Sequence, residues 1–193
     1  LRDWRYNPRV RRAAEVVRGG GVVAYPTEGV WGLGCDPANA DAVQRILQLK
    51  RRPVSKGVIL IAADISMLEP FLRGIDAAQR AQLARSWPGA VTWLIPNNGA
   101  AANWITGDSD RLAVRVTAHP LAAALCKAFG GPLVSTSANP GGFPAAASLI
   151  KVKAYFGANL DDYLPGKVGH SGRPSEIRDL LSGRVIRPGA GQA

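Results

Sequence analysis

Apolar residues along this chain fall into two rhythms, one helical and one continuous. Behind Asn7-Pro8, a cap followed by a residue suited to the first helical turn, Val10, Ala13, Ala14, Val16 and Val17 recur at helical spacing until Gly19-Gly20-Gly21 ends the run. Val22–Tyr25 is short and continuously apolar, the pattern of a buried strand that Pro26 closes. Asn39 caps a second helix through Leu49, whose buried face is Val43, Ile46 and Leu47. Val58–Ala62 reads as another buried strand, Ile65–Leu72 as a helical stretch weakened by Pro70, and Asp76 as the cap of a helix reaching Trp87. Pro88-Gly89 turns into the strand Val91–Ile95, and Leu112–Val116 is a strand carrying one charge, Arg115. His119-Pro120 opens a helix to Phe129, Leu133–Thr136 is a strand, and Ser148–Phe156 is a helix stopped by Gly157. Ile177–Leu181 and Arg184–Ile186 form a hairpin through Ser182-Gly183. Three stretches read as loops: Thr27–Asp36, whose glycines permit tight turns and close ligand approach; Pro96–Ser109, polar and expected to be mobile; and the loose tail Pro188–Ala193.

Strands and helices alternate irregularly and end in a hairpin. That predicts an α/β fold, a twisted mixed open sheet with flanking helices. There is no repeat and no linker, so residues 1–193 are read as a single domain.

Composition narrows the class. Hydrophobic residues make up 47% and charged ones 20%, which excludes extensive disorder. No apolar run reaches membrane-spanning length, and the first residues do not form a secretory signal, so a cytoplasmic location is expected. Two cysteines, Cys35 and Cys126, and two histidines, His119 and His170, are too few and too scattered for a zinc site or a disulfide framework. The cysteines read as core residues, His119 as a helix cap and His170 as an exposed loop residue. The net charge of +10 predicts attraction to polyanions without saying which.

Charge concentrates in Lys50-Arg51-Arg52-Pro53-Val54-Ser55-Lys56-Gly57, between a helix and a buried strand. Basic residues also offset a helix dipole at a C-terminus, so this run alone does not define a site. Other polar groups gather where strands end: Thr27, Ser135, Ser137 and Asn139 after strands, Thr92 and Arg115 within them, Ser175 and Arg187 about the terminal hairpin. Ligands of open α/β sheets bind at strand ends. The set holds cations, hydroxyls and an amide but no nucleophile–base pair, and the nearest carboxylates, Glu28 and Asp36, have no histidine beside them. Such a set suits an anionic ligand whose reaction needs positioning and charge neutralisation. Neither G-x-x-x-x-G-K-[ST] nor a strand-to-helix G-x-G-x-x-G occurs, so nucleotide phosphates would fall to side chains such as Lys50, Arg52, Lys56 and Arg115. Bland readings stand beside these: an edge-strand Arg115 facing solvent, an Asx-type turn at Ser137 and Asn139, ordinary β-propensity at Thr92 and a solvated Lys56.

Taken in order, Tyr25-Pro26-Thr27-Glu28 with Gly32-Leu33-Gly34, Lys50-Arg51-Arg52-Pro53, Trp87-Pro88-Gly89-Ala90-Val91-Thr92, Leu112-Ala113-Val114-Arg115-Val116, Ser135-Thr136-Ser137-Ala138-Asn139, and Pro174–Asp179 before Ile186-Arg187-Pro188-Gly189 resemble the YrdC/TsaC family. The resemblance runs from about residue 10 to 190 and is to the short, single-domain form. It implies a twisted sheet with a concave basic face and the synthesis of L-threonylcarbamoyladenylate and pyrophosphate from L-threonine, bicarbonate and ATP with Mg²⁺. Downstream threonylcarbamoyl-transferase proteins would then modify tRNA beside the anticodon, with tRNA contact through the basic face. Carried over by motif, Lys50 and Arg52 would hold the phosphates, Ser137 and Asn139 the nucleotide, and Arg187 would close over it. Thr27, Arg115, Ser135 and Ser175 would bind threonine or its carbamate, Arg115 pairing with a carboxylate. Two other readings compete. One is a non-catalytic protein binding double-stranded RNA or tRNA, or acting in ribosome maturation. The other, ranked low for want of its zinc-finger-like and acylphosphatase-like segments, is the carbamoyl-transfer module of hydrogenase maturation.

Overall fold

One pleated sheet organises the molecule, and different helices bury its two faces. The computed structural model describes residues 4–169 and 172–189; His170 and tail residues 190–193 lie outside them. The strands are β1 (Val23–Pro26), β2 (Trp31–Gly34), β3 (Ile59–Ala62), β4 (Val91–Pro96), β5 (Arg111–Val116), β6 (Leu133–Ser137), β7 (Asp162–Tyr163), β8 (Glu176–Asp179) and β9 (Val185–Arg187). The helices are α1 (Pro8–Arg18), α2 (Ala40–Lys50), α3 (Ala77–Ser86), α4 (Asn103–Thr106), α5 (Pro120–Phe129) and α6 (Leu149–Phe156). In space the strands run β7-β1-β2-β6-β3-β5-β4-β8-β9. Parallel pairs β1/β7, β3/β5 and β4/β8 sit among antiparallel ones, so the sheet is mixed, as expected.

The helix starts follow their chemistry. The side chains of Asn7, Asn39 and Asp76 accept the N–H groups of Arg9, Ala42 and Gln79, and Gln79 completes a capping box. Pleating then sorts the strand residues. Ala24, Leu60, Val114 and Val134 enter one core with Ile46, Leu47, Trp93 and Phe156. Val23, Tyr25, Ile61 and Leu133 enter the other, beneath α1 and α5, with Val10, Val17, Leu121 and Leu125. Those two helices cover only part of that face. Further along the same face of β3 and β6, Ile59, Ser135 and Ser137, two, two and four residues on from Ile61 and Leu133, line an open cavity.

Several expectations change. Thr27–Asp36 is not all loop, because Trp31–Gly34 forms β2, paired with β1 and β6. Gly34 serves packing: a Cβ there would lie 2.5 Å from the Val134 carbonyl oxygen and 2.7 Å from the Tyr25 ring. Ile65–Phe71 is a 3₁₀ rather than an α-helix, with Pro70 inside it. The expected mobile segment 96–109 is tied down: it contains α4, buries Ile105, and bonds Ile105 O to Val58 N at 2.8 Å and Ser55 O to Asp108 N at 3.1 Å. Here Gly57 and Gly107, both at positive φ, let two backbones meet where a side chain would collide. β7 was not foreseen. The chain between β7, at one edge, and β8, towards the other, is residues 164–175. On the way, Lys167 O meets His119 Nε2 at 3.0 Å and Gly169 N donates to Thr27 O at 2.9 Å. His119 thus stands at the cap position of α5 but spends its ring on residue 167, not on the helix.

Candidate functional site

The uncovered part of the second sheet face is the floor of a cavity of 520 Å³. Thr27, Lys50, Arg52, Arg115, Ser135, Ser137, Asn139, Ser175 and Arg187 all line it, although they come from the whole length of the chain. Seven of its lining residues are cations: Lys50, Arg51, Arg52, Lys56, Arg111, Arg115 and Arg187. No carboxylate is among them, although Glu28 and Asp179 stand behind Arg115 and Arg111.

Lys50, the last residue of α2, is only 5% exposed. Its ammonium donates to the carbonyl oxygens of Ser137 and, at 2.9 Å, Asn139, joining α2 to the loop after β6. Asn139 Oδ1 also lies 3.5 Å from this ammonium, at the outer limit of a hydrogen bond, so of its three N–H groups two are firmly held and the third, loosely held, is the one that can turn to a ligand. Burial, reinforced by Arg52, lowers its pKa to about 8. Arg51 caps α2 with left-handed backbone at φ 50°, which turns the chain so that Arg52 follows it into the rim. Arg52 donates from Nε to Gly57 O at 3.1 Å and from Nη2 to Lys56 O at 3.0 Å. Burial lowers its pKa too.

On the far side, Arg187 holds Ser175 O through Nε at 3.1 Å and Nη2 at 2.7 Å, and Ser175 Oγ lies 2.9 Å from Thr92 Oγ1. Thr92 therefore does more than favour a strand; it braces Ser175. The Arg187 pKa falls by burial, then through Arg115 and Arg52. Cations that depress one another's protonation mark a site arranged for an anion. The Asn139 amide is committed to its own loop, donating to Pro140 O and Phe143 O, which is the turn-building reading. Thr27 donates to Val30 O at 2.7 Å.

Arg115 is on a central strand, 5% exposed, which excludes the solvent-facing reading. Its Nη1 lies 3.5 Å from Glu28 Oε2. Sequence reasoning missed Arg111, although Arg111, Ala113 and Arg115 alternate along β5 and so share a face. Arg111 Nε pairs with Asp179 at 3.3 Å. The cysteines are core residues: burial raises both thiols, Cys126 to about 12.

Among the described residues, no cluster of metal-binding side chains occurs and no helix is long and apolar enough to cross a membrane. The cavity can hold a small, multiply charged anion against cations and hydroxyls. Its lining residues include neither a carboxylate nor a histidine.

A family model for Sua5, YciO and YrdC proteins, described as telomere recombination, matches residues 15–189. Threonylcarbamoyl-AMP synthase of Cellvibrio japonicus is 58% identical over 96% of this chain and 98% of its own. The protein of the same name from Nitrosococcus oceani is 55% identical over 94% of this chain and 98% of its own. The structure of P. abyssi Sua5 complexed with L-threonine superposes with a TM-score of 0.88 at 33% identity, over 93% of this chain and 54% of that longer one.

Proposed function

The chain belongs to the Sua5/YciO/YrdC family, and on that premise we propose that it is a threonylcarbamoyl-AMP synthase, a nucleotidyltransferase that joins L-threonine, bicarbonate and ATP. The observation that carries this reading is the cavity itself: all nine residues selected by motif meet there among seven cations and no carboxylate. Its 520 Å³ suits a nucleotide and an amino acid rather than a nucleic-acid duplex.

In this reading the threonine amine and bicarbonate give a carbamate and water. A carbamate oxygen attacks the α-phosphorus of ATP, the bond to the β-phosphate oxygen breaks, and pyrophosphate leaves. Two anions must meet; unit charges 4 Å apart repel by about 4 kcal/mol at an effective dielectric constant of ~20. Lys50 and Arg52 offset that repulsion at the phosphates, Ser137 and the loop that Asn139 builds border the nucleoside side, and Arg187 closes over it. Thr27, Ser135, Ser175 and Arg115 bind threonine or its carbamate, Arg115 at a carboxylate. A wall without carboxylates does not fit a resident Mg²⁺ site. Mg²⁺ therefore enters as the counter-ion of ATP. Threonylcarbamoyl transfer to tRNA falls to separate downstream proteins, in the cytoplasm.

The test follows pyrophosphate with purified protein, MgATP, bicarbonate and L-threonine. Release that requires both threonine and bicarbonate is expected. No threonine-dependent release, beside tight and strongly salt-dependent tRNA binding, would instead favour the RNA-binding reading.

Lys50 supplies a pH signature. Its pKa is lowered to about 8, so the free protein loses this charge as pH rises through that value. Bound phosphate favours the charged form and raises the pKa in the complex. ATP affinity should therefore fall as pH climbs from about 7 to about 9.5, whereas Lys50→Arg, charged throughout, should flatten the slope. Calorimetric titration of ATP across that range checks it; parallel slopes would remove Lys50 from the phosphates.

A further inference from the structure

We propose that Glu28, which does not line the cavity, is the positioning residue that turns the Arg115 guanidinium towards the carboxylate of the amino-acid substrate. The inference rests on the reading of Arg115 given above. Glu28 follows Thr27 directly and is held from behind: Oε1 accepts Thr117 Oγ1 at 2.7 Å and Ala118 N at 2.9 Å. Thr117 is fixed in turn, its N–H on Ala62 O at 3.0 Å and its hydroxyl accepting His119 N at 3.1 Å. The carboxylate cannot swing, and its second oxygen faces Arg115 Nη1 at 3.5 Å. The side chains are only 6% and 13% exposed, so water screens the pair little.

Three buried polar atoms here lack hydrogen-bond partners: Glu28 Oε2, Arg115 Nε and His119 Nδ1. The Arg115 geometry gives this meaning. Nη1 lies on the Cδ side of a guanidinium, and the other edge, formed by Nε and Nη2, is the one that grips a carboxylate with two parallel bonds. Glu28 stands beside Nη1 as an ion-pair partner at 3.5 Å, without a hydrogen bond, and leaves that gripping edge free. A buried Nε–H without an acceptor is costly, and a substrate carboxylate at that edge would remove the cost. No lining residue offers a competing carboxylate, while the hydroxyls of Thr27 and Ser135 share the wall with Arg115.

Glu28→Gln keeps the size of the side chain and one acceptor for Thr117. It removes the charge and sets an amide beside Nη1. Thr117→Val removes one anchor of Glu28 and nothing from the cavity; it keeps the question open if Glu28→Gln fails to fold. The decisive probe is L-threoninol, which retains the amine and β-hydroxyl but has no carboxylate. Equilibrium binding of L-threonine, L-threoninol and ATP is measured for both variants and the parent. Glu28→Gln should weaken L-threonine by about tenfold or more, Thr117→Val by less, with L-threoninol and ATP moved less than about twofold. Equal weakening of L-threonine and L-threoninol would make Glu28 a loop brace and overturn the proposal, as would unchanged L-threonine binding. Arg115→Ala separates the two readings: if it weakens ATP as much as L-threonine, the assignment of Arg115 fails whatever Glu28 does.

Discussion

Replacing Lys50 and Arg52 together by alanine should lower threonine-dependent pyrophosphate release by about 10²–10³-fold or more at saturating threonine, as expected for losing preorganised charge at a transferring phosphoryl group. Lys50 is 5% exposed, and desolvation pushes its pKa to about 8, so a buried cation is kept where charge is expensive. Its bonds to the carbonyls of Ser137 and Asn139 explain how it is held but not why it is charged, since the two N–H groups of a neutral amide would satisfy two carbonyls. Truncation also leaves those carbonyls unpaired, at about 1–3 kcal/mol. The loss must therefore be read per folded molecule, with thermal melting alongside. A fall under tenfold after that correction would show that the phosphates are held elsewhere in the cavity.

Arg115→Ala should raise the threonine requirement by about 100-fold while changing that for ATP far less, the size expected when a charge-assisted bidentate contact of about 3 kcal/mol is removed. The same substitution has a second cost. Glu28, 13% exposed and pinned by Thr117 and Ala118, would be left as a buried carboxylate without its cation. Breaking a buried pair from one side costs about 3 kcal/mol. Arg115→Ala with Glu28→Gln should recover part of that stability and none of the threonine binding. Separate melting and binding measurements on the single and double variants distinguish the terms. Recovery of threonine binding in the double variant would mean that Arg115 serves only to neutralise Glu28.

The parts of the fold that could be read from sequence are those whose residues declare their own surroundings. Val58–Ala62 and Leu133–Thr136 are apolar enough to be central strands, and Asn39 and Asp76 announce helix starts through side chains that bond locally. Trp31–Gly34 hides because two of its four residues are glycine, and the reason for Gly34, the Tyr25 ring against it, lies on another strand. Two-residue β7 is too short for any periodicity. The site divides in the same way. Its cations and hydroxyls could be gathered because they cluster at strand ends. Arg111 could have joined them through the two-residue alternation along β5. The Glu28–Arg115 pair could not be found this way, because no local pattern joins a residue after the first strand to one within the fifth.

The segment from β7 to β8 behaves as a bowstring. Seven strand spacings separate these strands in the sheet order, about 34 Å along a flattened sheet. Thirteen Cα-to-Cα steps from Tyr163 to Glu176 reach at most about 47 Å. Part of that length goes into touching down at His119 and Thr27 and into presenting Ser175. The string is long enough to cross a flattened sheet, so it does not forbid flexing, but its length sets a ceiling on how far β7 and β8 can separate and so on how wide the hollow between them can gape. A change that admits a bulkier ligand would then come more readily from the rim at residues 54–57 and 103–107 than from the sheet itself.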